Sequence, residues 1–495
     1  MDRRDFLLRT LLGSALCSLP GRVLANPADN YRNFHAGLAN HPRLASLAGV
    51  ESEMLSAEAA VSGRWPRELA GVFYRNGPAR FERAGERYEH WFDGDGMVHA
   101  WRVNDGRVRH LGRFVRTAKY QAESEAGQLL YPAFGTAIAR RPVGNNDSVN
   151  TANTNAVPHA GHLYALWEGG SATELDPQTL ATLGTRSWRP DLAALPFSAH
   201  PKIEPDGTLW NFGALPGTDK LVLWQIKPDG SLGRFGMIKV PQLAMVHDFV
   251  VTERHMVFLV PPFRMEHRAG ASFLDQHIWE PHRPMRAVIV SKADFNLKQV
   301  IEMPAAMMFH FGNAYDDGDT IRLDATFFPD AGILEEMRER MRGEVKTHSR
   351  DARAQLVSLD LRQGSYRQET LLAATEFPRV VPEVVGRRHR EVYMLTGQTD
   401  DDFGLTGVAR VSLDSGKVDA YHYGSDYIVE EHVPVRRANG KGHWLLGPAF
   451  DTKRQRTVLS VFDAQHLSAG PQAQAWLPYA APLGFHGNFL PARAA

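Results

Sequence analysis

Four histidines stand apart from the rest of the 21 by their surroundings. His200 lies in FSAHPKIEPDG, His247 in MVHDFVV, His310 in MFHFGNA and His486 in PLGFHGN. Each is embedded in apolar or glycine neighbours, at or near the expected end of a strand. A buried imidazole needs a partner, and a transition-metal ion is one that several imidazoles can share. The chain has a single cysteine, which excludes both a disulfide framework and a cluster of thiolate ligands. Imidazole is then the obvious metal ligand. No Ser/His/Asp arrangement or glycine-rich phosphate loop offers a competing chemistry. Taken singly, each of the four reads equally well as a hydrogen-bonded core histidine. The others read as ordinary: His90 and His99 flank the FDGDG turn and are expected to pack or cap there, His159 and His162 fall in a polar loop, and His267, His277 and His282 in a Pro- and Arg-rich loop excursion.

The four are separated by 47, 63 and 176 residues, so no one helix or loop could gather them. Only a closed architecture whose strands converge on an axis would. The chain reads that way. From about Gly71 onward, short apolar alternations are broken by turn dipeptides: Asp105-Gly106, Asp206-Gly207, Asp229-Gly230, Asp317-Gly318, Ser415-Gly416 and Asn439-Gly440. X-Gly supplies the positive φ that tight hairpins need. These signals run to the C-terminus without a linker, which predicts an all-β chain with no internal domain boundary. One sandwich cannot absorb that length, whereas a propeller of four-stranded blades can. One helix is predicted, Ala331 to Arg342, capped by Asp330, ended by Gly343 and lying on the surface. Fifty-six basic residues balance 56 acidic ones, leaving no electrostatic case for nucleic-acid binding.

Residues 1–25 are expected to stand outside the fold. Arg3 and Arg4 open a basic segment, an apolar stretch runs from Thr10 to Leu19, and Val23 and Ala25 precede a cleavage position. Paired arginines followed by Asp5, Phe6 and Leu7 resemble a twin-arginine export signal, and the stretch is too short to span a bilayer. Cleavage after Ala25 removes Arg3, Arg4, Arg9 and Arg22 against Asp2 and Asp5, and takes Cys17 with it. A mature chain of residues 26–495, forming one domain without cysteine, suits an oxidising periplasm.

YRNGP (Tyr74 to Pro78), HWFDGDGMVHA (His90 to Ala100), AHPKIEPDG (Ala199 to Gly207), FHFGNAYDD (Phe309 to Asp317) and GFHGN (Gly484 to Asn488) resemble the signatures of the carotenoid cleavage oxygenases, in that family's order. The resemblance implies a seven-bladed β-propeller, with loops and a few short helices capping an axial site. It implies one Fe(II) per chain, held by His200, His247, His310 and His486. It also implies three glutamates behind the histidines, Glu168, Glu376 and Glu431, with Glu430 the alternative to Glu431 after a one-residue slip. Neutral imidazoles suit Fe(II) and leave positions open for O₂, and a carboxylate accepting the far N–H of an imidazole fixes its tautomer.

The family divides mainly between carotenoid or apocarotenoid and stilbene-type substrates. Stilbene-cleaving members carry a lysine before the first glutamate, where this chain has Trp167. Trp167 suits an apolar wall, which favours a polyene. Phe309, Phe311 and Phe485 flank the histidines and are candidates to line the same tunnel. The expected reaction is scission of one C=C by O₂ into two carbonyl products. A stilbene or phenylpropanoid cleaver and a non-enzymatic propeller binding module are the alternatives. Peripheral membrane contact has two candidate surfaces, Val260 to Phe263 and the helix bearing Met337 and Met341.

Overall fold

The computed structural model describes residues 26–346, 352–399 and 403–492. Seven antiparallel sheets of at least four strands each form the blades of a propeller. The innermost strands, in order, are His486–Pro491, Asn155–His159, Lys202–Ile203, Val250–Val251, Met307–Asp317, Thr375–Arg379 and, in the last blade, the pair Tyr427–Val429 and Val433–Arg436.

The third blade shows why the sequence folds this way. Its second and third strands, Leu209–Leu215 and Lys220–Ile226, pair in register from Leu209↔Ile226 to Leu215↔Lys220. Each is sandwiched between neighbouring blades, so consecutive residues Leu221, Val222 and Leu223 are all fully buried. Each such side chain stabilises the fold by about 1.5–3 kcal/mol. The outermost strand, Leu232–Lys239, is largely in contact with water and carries Arg234 and Lys239. Apolar runs inside and polar strands outside repeat from blade to blade, and the short turns between them are the X-Gly pairs read from the sequence, with Gly106, Gly207, Gly230, Gly318, Gly416 and Gly440 all at positive φ.

The ring is closed at both chain ends. The C-terminal strand His486–Pro491 joins the first blade through Gly71–Arg80, with Asn76↔His486 and Gly71↔Pro491 as the limits of the register. Near the other end, Ala60–Gly63 adds to the outer edge of the last blade through Ala473–Trp476. Each closure pairs an edge that would otherwise stay open.

Three α-helices lie among the described residues, where one was predicted: α1 (Pro27–Asn40), α2 (Ala118–Ala126) and α3 (Gly332–Met341). The predicted helix is α3; Asp330 accepts from the Gly332 N–H at 2.7 Å, but the cap position falls on Ala331, one residue later than predicted. It is not a surface helix: Leu334, Glu336, Arg338 and Met341 are buried. The other two escaped hydrophobic periodicity for a physical reason. Helix α2 buries charge, Lys119 and Glu123, rather than an apolar stripe; they pair with each other at 3.1 Å, and Lys119 also reaches Asp95 at 2.9 Å. Helix α1 buries only Pro27, Asn30 and Phe34. His159 and His162 are not in a loop either; they end and begin the two strands of one hairpin. No helix among the described residues is long and apolar enough to cross a membrane. The Val260–Phe263 segment, offered as a membrane contact, is buried throughout, and Met341 is fully buried.

Candidate metal centre

The four singled-out histidines meet on the propeller axis. His310 sits near the start of its innermost strand and His486 is the first residue of its own, while His200 and His247 fall two and three residues before theirs. Innermost strands all run in one direction, so their beginnings share one face of the ring. One ring nitrogen from each histidine lies within 4.8 Å of the others. The ring centroids of His200 are 4.4 Å from His247, 5.2 Å from His310 and 4.6 Å from His486. The Nε2 atoms of His247 and His310 are 3.3 Å apart. All four side chains are buried.

Three of the rings are backed by carboxylates. Glu168 is in contact with His247 Nδ1. Glu376 Oε2 accepts from His310 Nδ1 at 2.6 Å, and its other oxygen accepts from the Thr326 hydroxyl at 2.8 Å. Glu431 Oε1 accepts from His486 Nδ1 at 3.0 Å, and its Oε2 accepts from the Gly487 N–H at 2.9 Å. A carboxylate on Nδ1 turns the Nε2 lone pair toward the centre. His200 lacks a carboxylate, and its Nε2 is buried without a protein hydrogen-bond partner.

Glu430 and Glu431 lie in the break between Tyr427–Val429 and Val433–Arg436, and their contacts separate them: Glu431 faces His486, while Glu430 faces the buried Arg75 and accepts from the Gly484 N–H at 2.8 Å.

Electrostatics separate the groups. Burial, reinforced by the neighbouring imidazoles, holds His200 well below the ordinary histidine pKa. Burial also lowers His486 to about 4, against the pull of Glu431. Burial opposes protonation of His247 as well, but the charge and hydrogen bond of Glu168, together with Asp248 and Glu376, move it the other way. Burial opposes ionisation of Glu431, yet Arg379 and His486 bring its carboxyl down to about 2. Glu376 is likewise lowered, by His310 against burial. The result is a cluster of imidazole donors ringed by carboxylates, a donor set that suits a divalent transition metal.

The centre opens onto a cavity of about 760 Å³. His247, His310 and His486 line it with Glu168 and Glu376. Phe92, Phe134, Trp167, Phe309, Phe377 and Phe485 are among its walls. Phe309 meets the His247 ring edge-on at 5.1 Å, and Phe377 stacks on His310 at 4.9 Å. The Trp167 indole folds back over Gly169, where a Cβ would lie 2.6 Å from the ring.

Of the predicted tunnel residues, Trp167, Phe309 and Phe485 line the cavity, but Phe311 does not; it packs in the blade core with Val257, Ile289 and Leu323. The register slips between Met308 and Phe311. Such a bulge lets Phe309 and His310 face the cavity in succession and sends Phe311 inward. Sequence reasoning missed Phe377, Thr326 and Phe134. Phe377 carried a signal, since it directly follows Glu376. Thr326 and Phe134 carried none. His90, expected to cap, does so by accepting from the Phe92 N–H at 3.1 Å.

A closed seven-bladed ring with four converging imidazoles, three backing carboxylates and an aromatic cavity defines a propeller with a candidate metal site on its axis. Residues 47–491 match the retinal pigment epithelial membrane protein family, and the chain belongs to that family, the carotenoid cleavage oxygenases. It is 29% identical over 461 residues to the apocarotenoid-15,15'-oxygenase of Synechocystis, a match covering 87% of this chain and 92% of that one. It is also 29% identical to lignostilbene-α,β-dioxygenase isozyme III of Sphingomonas paucimobilis, over 92% of this chain and 99% of that one. The solved structure of cobalt-substituted Synechocystis apocarotenoid oxygenase superposes with a TM-score of 0.81 at 26% identity, covering 91% of this chain and 99% of that one.

Proposed function

We propose that the protein is an Fe(II)-dependent oxygenase that uses O₂ to cut one C=C bond of a carotenoid or apocarotenoid, giving two carbonyl products. The observation that carries this is the opening of the four-imidazole centre into an apolar, aromatic cavity with Trp167 beside Glu168. His200, His247, His310 and His486 would hold the iron. The buried, otherwise unpartnered Nε2 of His200 fits that role, since a buried ring nitrogen with no partner is costly. Bound Fe(II) supplies the activation of O₂ that carbon chemistry alone lacks. The protein's own part is positional. Glu168, Glu376 and Glu431 hold protons on the Nδ1 atoms and fix the rings. Phe309, Phe377 and Phe485 exclude water and confine one double bond of a flat polyene beside the centre.

The lignostilbene relative makes a phenol-bearing stilbene the second reading. Trp167 speaks against it, because an indole beside Glu168 cannot neutralise a phenolate as a cation would. Oxygen uptake with an apocarotenal and with a hydroxystilbene separates the two; turnover of the stilbene alone overturns the proposal. Metal analysis separates either from a binding module. Iron near one per chain, lost in His310→Ala, is expected, and anaerobically purified protein without iron contradicts it.

Export is part of the same proposal. Residues 1–25 lie outside the described structure, and α1 begins at Pro27 with Asn26 as its cap, one residue past the expected cut. N-terminal sequencing of protein recovered from the periplasm is expected to begin at Asn26. Recovery of only the uncut chain, in the cytoplasm, contradicts export.

A further inference from the structure

Of the four converging rings, three are oriented by a carboxylate on Nδ1 and His200 is not. Its backbone is instead held on both sides. On one side the Asn155 side chain donates to the Ala199 carbonyl at 2.8 Å, and it accepts from the Asn488 amide at 3.0 Å, two residues past His486. On the other side Lys202, two residues past His200, reaches Asp248 Oδ1 at 2.8 Å. Asp248 directly follows His247. The same oxygen accepts from the Phe249 N–H at 2.7 Å, and Oδ2 accepts from the Phe311 N–H at 2.9 Å. Phe311 directly follows His310, at the bulge that turns that ring to the cavity. One buried carboxylate therefore joins the third, fourth and fifth blades at points beside three of the four histidines.

An ion pair withdrawn from water adds little stability, and well-packed apolar residues often do as well in its place. The third and fourth blades are also already stapled elsewhere. Past the ends of their innermost strands, Lys292 Nζ donates to Glu204 at 2.6 Å and to the Thr252 carbonyl at 2.9 Å. A second lysine–carboxylate staple serves stability equally well anywhere along the blades. Its placement within two residues of His200, His247 and His310 serves something narrower. A metal centre needs its donor atoms held to about 0.5 Å, which the groups around the ligands must supply.

We propose that Lys202 and Asp248 are positioning residues that fix the spacing of His200, His247 and His310, and so set how tightly and in what geometry the centre holds its metal. The proposal rests on the reading of the four-histidine cluster as a metal centre. Lys202 anchors the strand of His200, the Asp248 carboxylate holds the bulge of His310, and the backbone between them carries His247.

The test titrates the metal-stripped, full-length protein with Fe(II) under anaerobic conditions and with Co(II), whose visible absorption reports ligand geometry. Lys202→Met and Asp248→Asn are each expected to lower the affinity for both ions about tenfold, as for groups that orient metal ligands, and to alter the Co(II) spectrum. Lys202→Arg, which keeps the ion pair, stays near wild type in both. A pair acting through charge alone would move the two variants in opposite directions, since losing the cation favours a bound metal ion and losing the anion disfavours it. Opposite shifts therefore overturn the inference, and so does wild-type binding in both variants. Lys292→Met is the control. It removes the other staple, and should lower Tm while leaving affinity and spectrum unchanged; an equal loss of affinity there overturns the inference and leaves the Lys202–Asp248 pair a staple only. Wild type that binds neither ion overturns the metal-centre reading as well. Thermal unfolding identifies any variant that misfolds. If that is Asp248→Asn, the sign of the change in Lys202→Met decides alone; if it is Lys202→Met, Lys202→Gln replaces it, with the same loss expected.

Discussion

At the scale of single residues, the centre depends on side chains that do not touch one another in sequence. The histidines were visible as candidates because each sits among apolar or glycine neighbours, but nothing local linked them; register and ring closure made that link. The glutamates were less legible. Glu168, Glu376 and Glu431 read individually as exposed strand-edge residues, and only the family resemblance marked them. The 430/431 ambiguity needed the three-dimensional contacts of two adjacent side chains, one toward His486 and one toward Arg75. Phe311 was misassigned because a one-residue bulge is invisible to alternation counting. Glu376 offers the sharpest residue-level prediction. Glu376→Gln keeps the shape but weakens the acceptor for His310 Nδ1, so iron affinity should fall about 10–100-fold with little change in thermal unfolding of the metal-free protein. Metal titration of the apoprotein checks this; wild-type affinity would mean that Glu376 does not tune His310.

At the scale of elements, blades are held to one another by polar staples between inner strands and the turns beside them. His255, at the start of a strand in the fourth blade, is 2.8 Å from Asp316 in the fifth, and the Arg254 N–H donates to the same carboxylate at 3.0 Å. Burial opposes ionisation of Asp316, but the hydrogen bonds from His255 and its neighbours bring it to about 2. A depressed carboxyl stabilises the fold above its unfolded pKa, near 4, and that contribution is lost as pH falls toward 2. Asp316→Asn should therefore be less stable than wild type at neutral pH, with the gap closing between about pH 4 and 2. Chemical denaturation across that range measures it, and a gap independent of pH contradicts the staple. The closing strand makes a second prediction. A Cβ on Gly487 would lie 2.6 Å from the Tyr74 carbonyl oxygen and 2.8 Å from the Phe73 ring. Gly487→Ala should cost about 1–3 kcal/mol, read as a lower Tm. Hairpins were legible here because X-Gly turns and apolar alternation are local; α1 and α2 were not, because their buried faces are partly polar or charged.

At the scale of the whole molecule, the ring is closed by its two chain ends, and the centre inherits that closure because His486 opens the last strand. Removing residues 484–495 should abolish both iron binding and cooperative unfolding, whereas a merely local role for the tail would leave a folded, iron-free ring; calorimetry tells these apart. Blade number was not legible from hairpin counting alone, since hairpins report pairing within a sheet and not how many sheets share an axis. The balance of charge in the composition agrees with the proposed apolar substrate, which would need no electrostatic steering. The central claim is that this cavity presents a polyene double bond to an iron held by four histidines. Mass spectrometry of the products from iron-loaded protein, an apocarotenal and O₂ tests it most directly. Two carbonyl fragments whose carbons together account for the substrate, absent in His310→Ala, are predicted; an intact apocarotenal beside a cleaved hydroxystilbene would contradict the account.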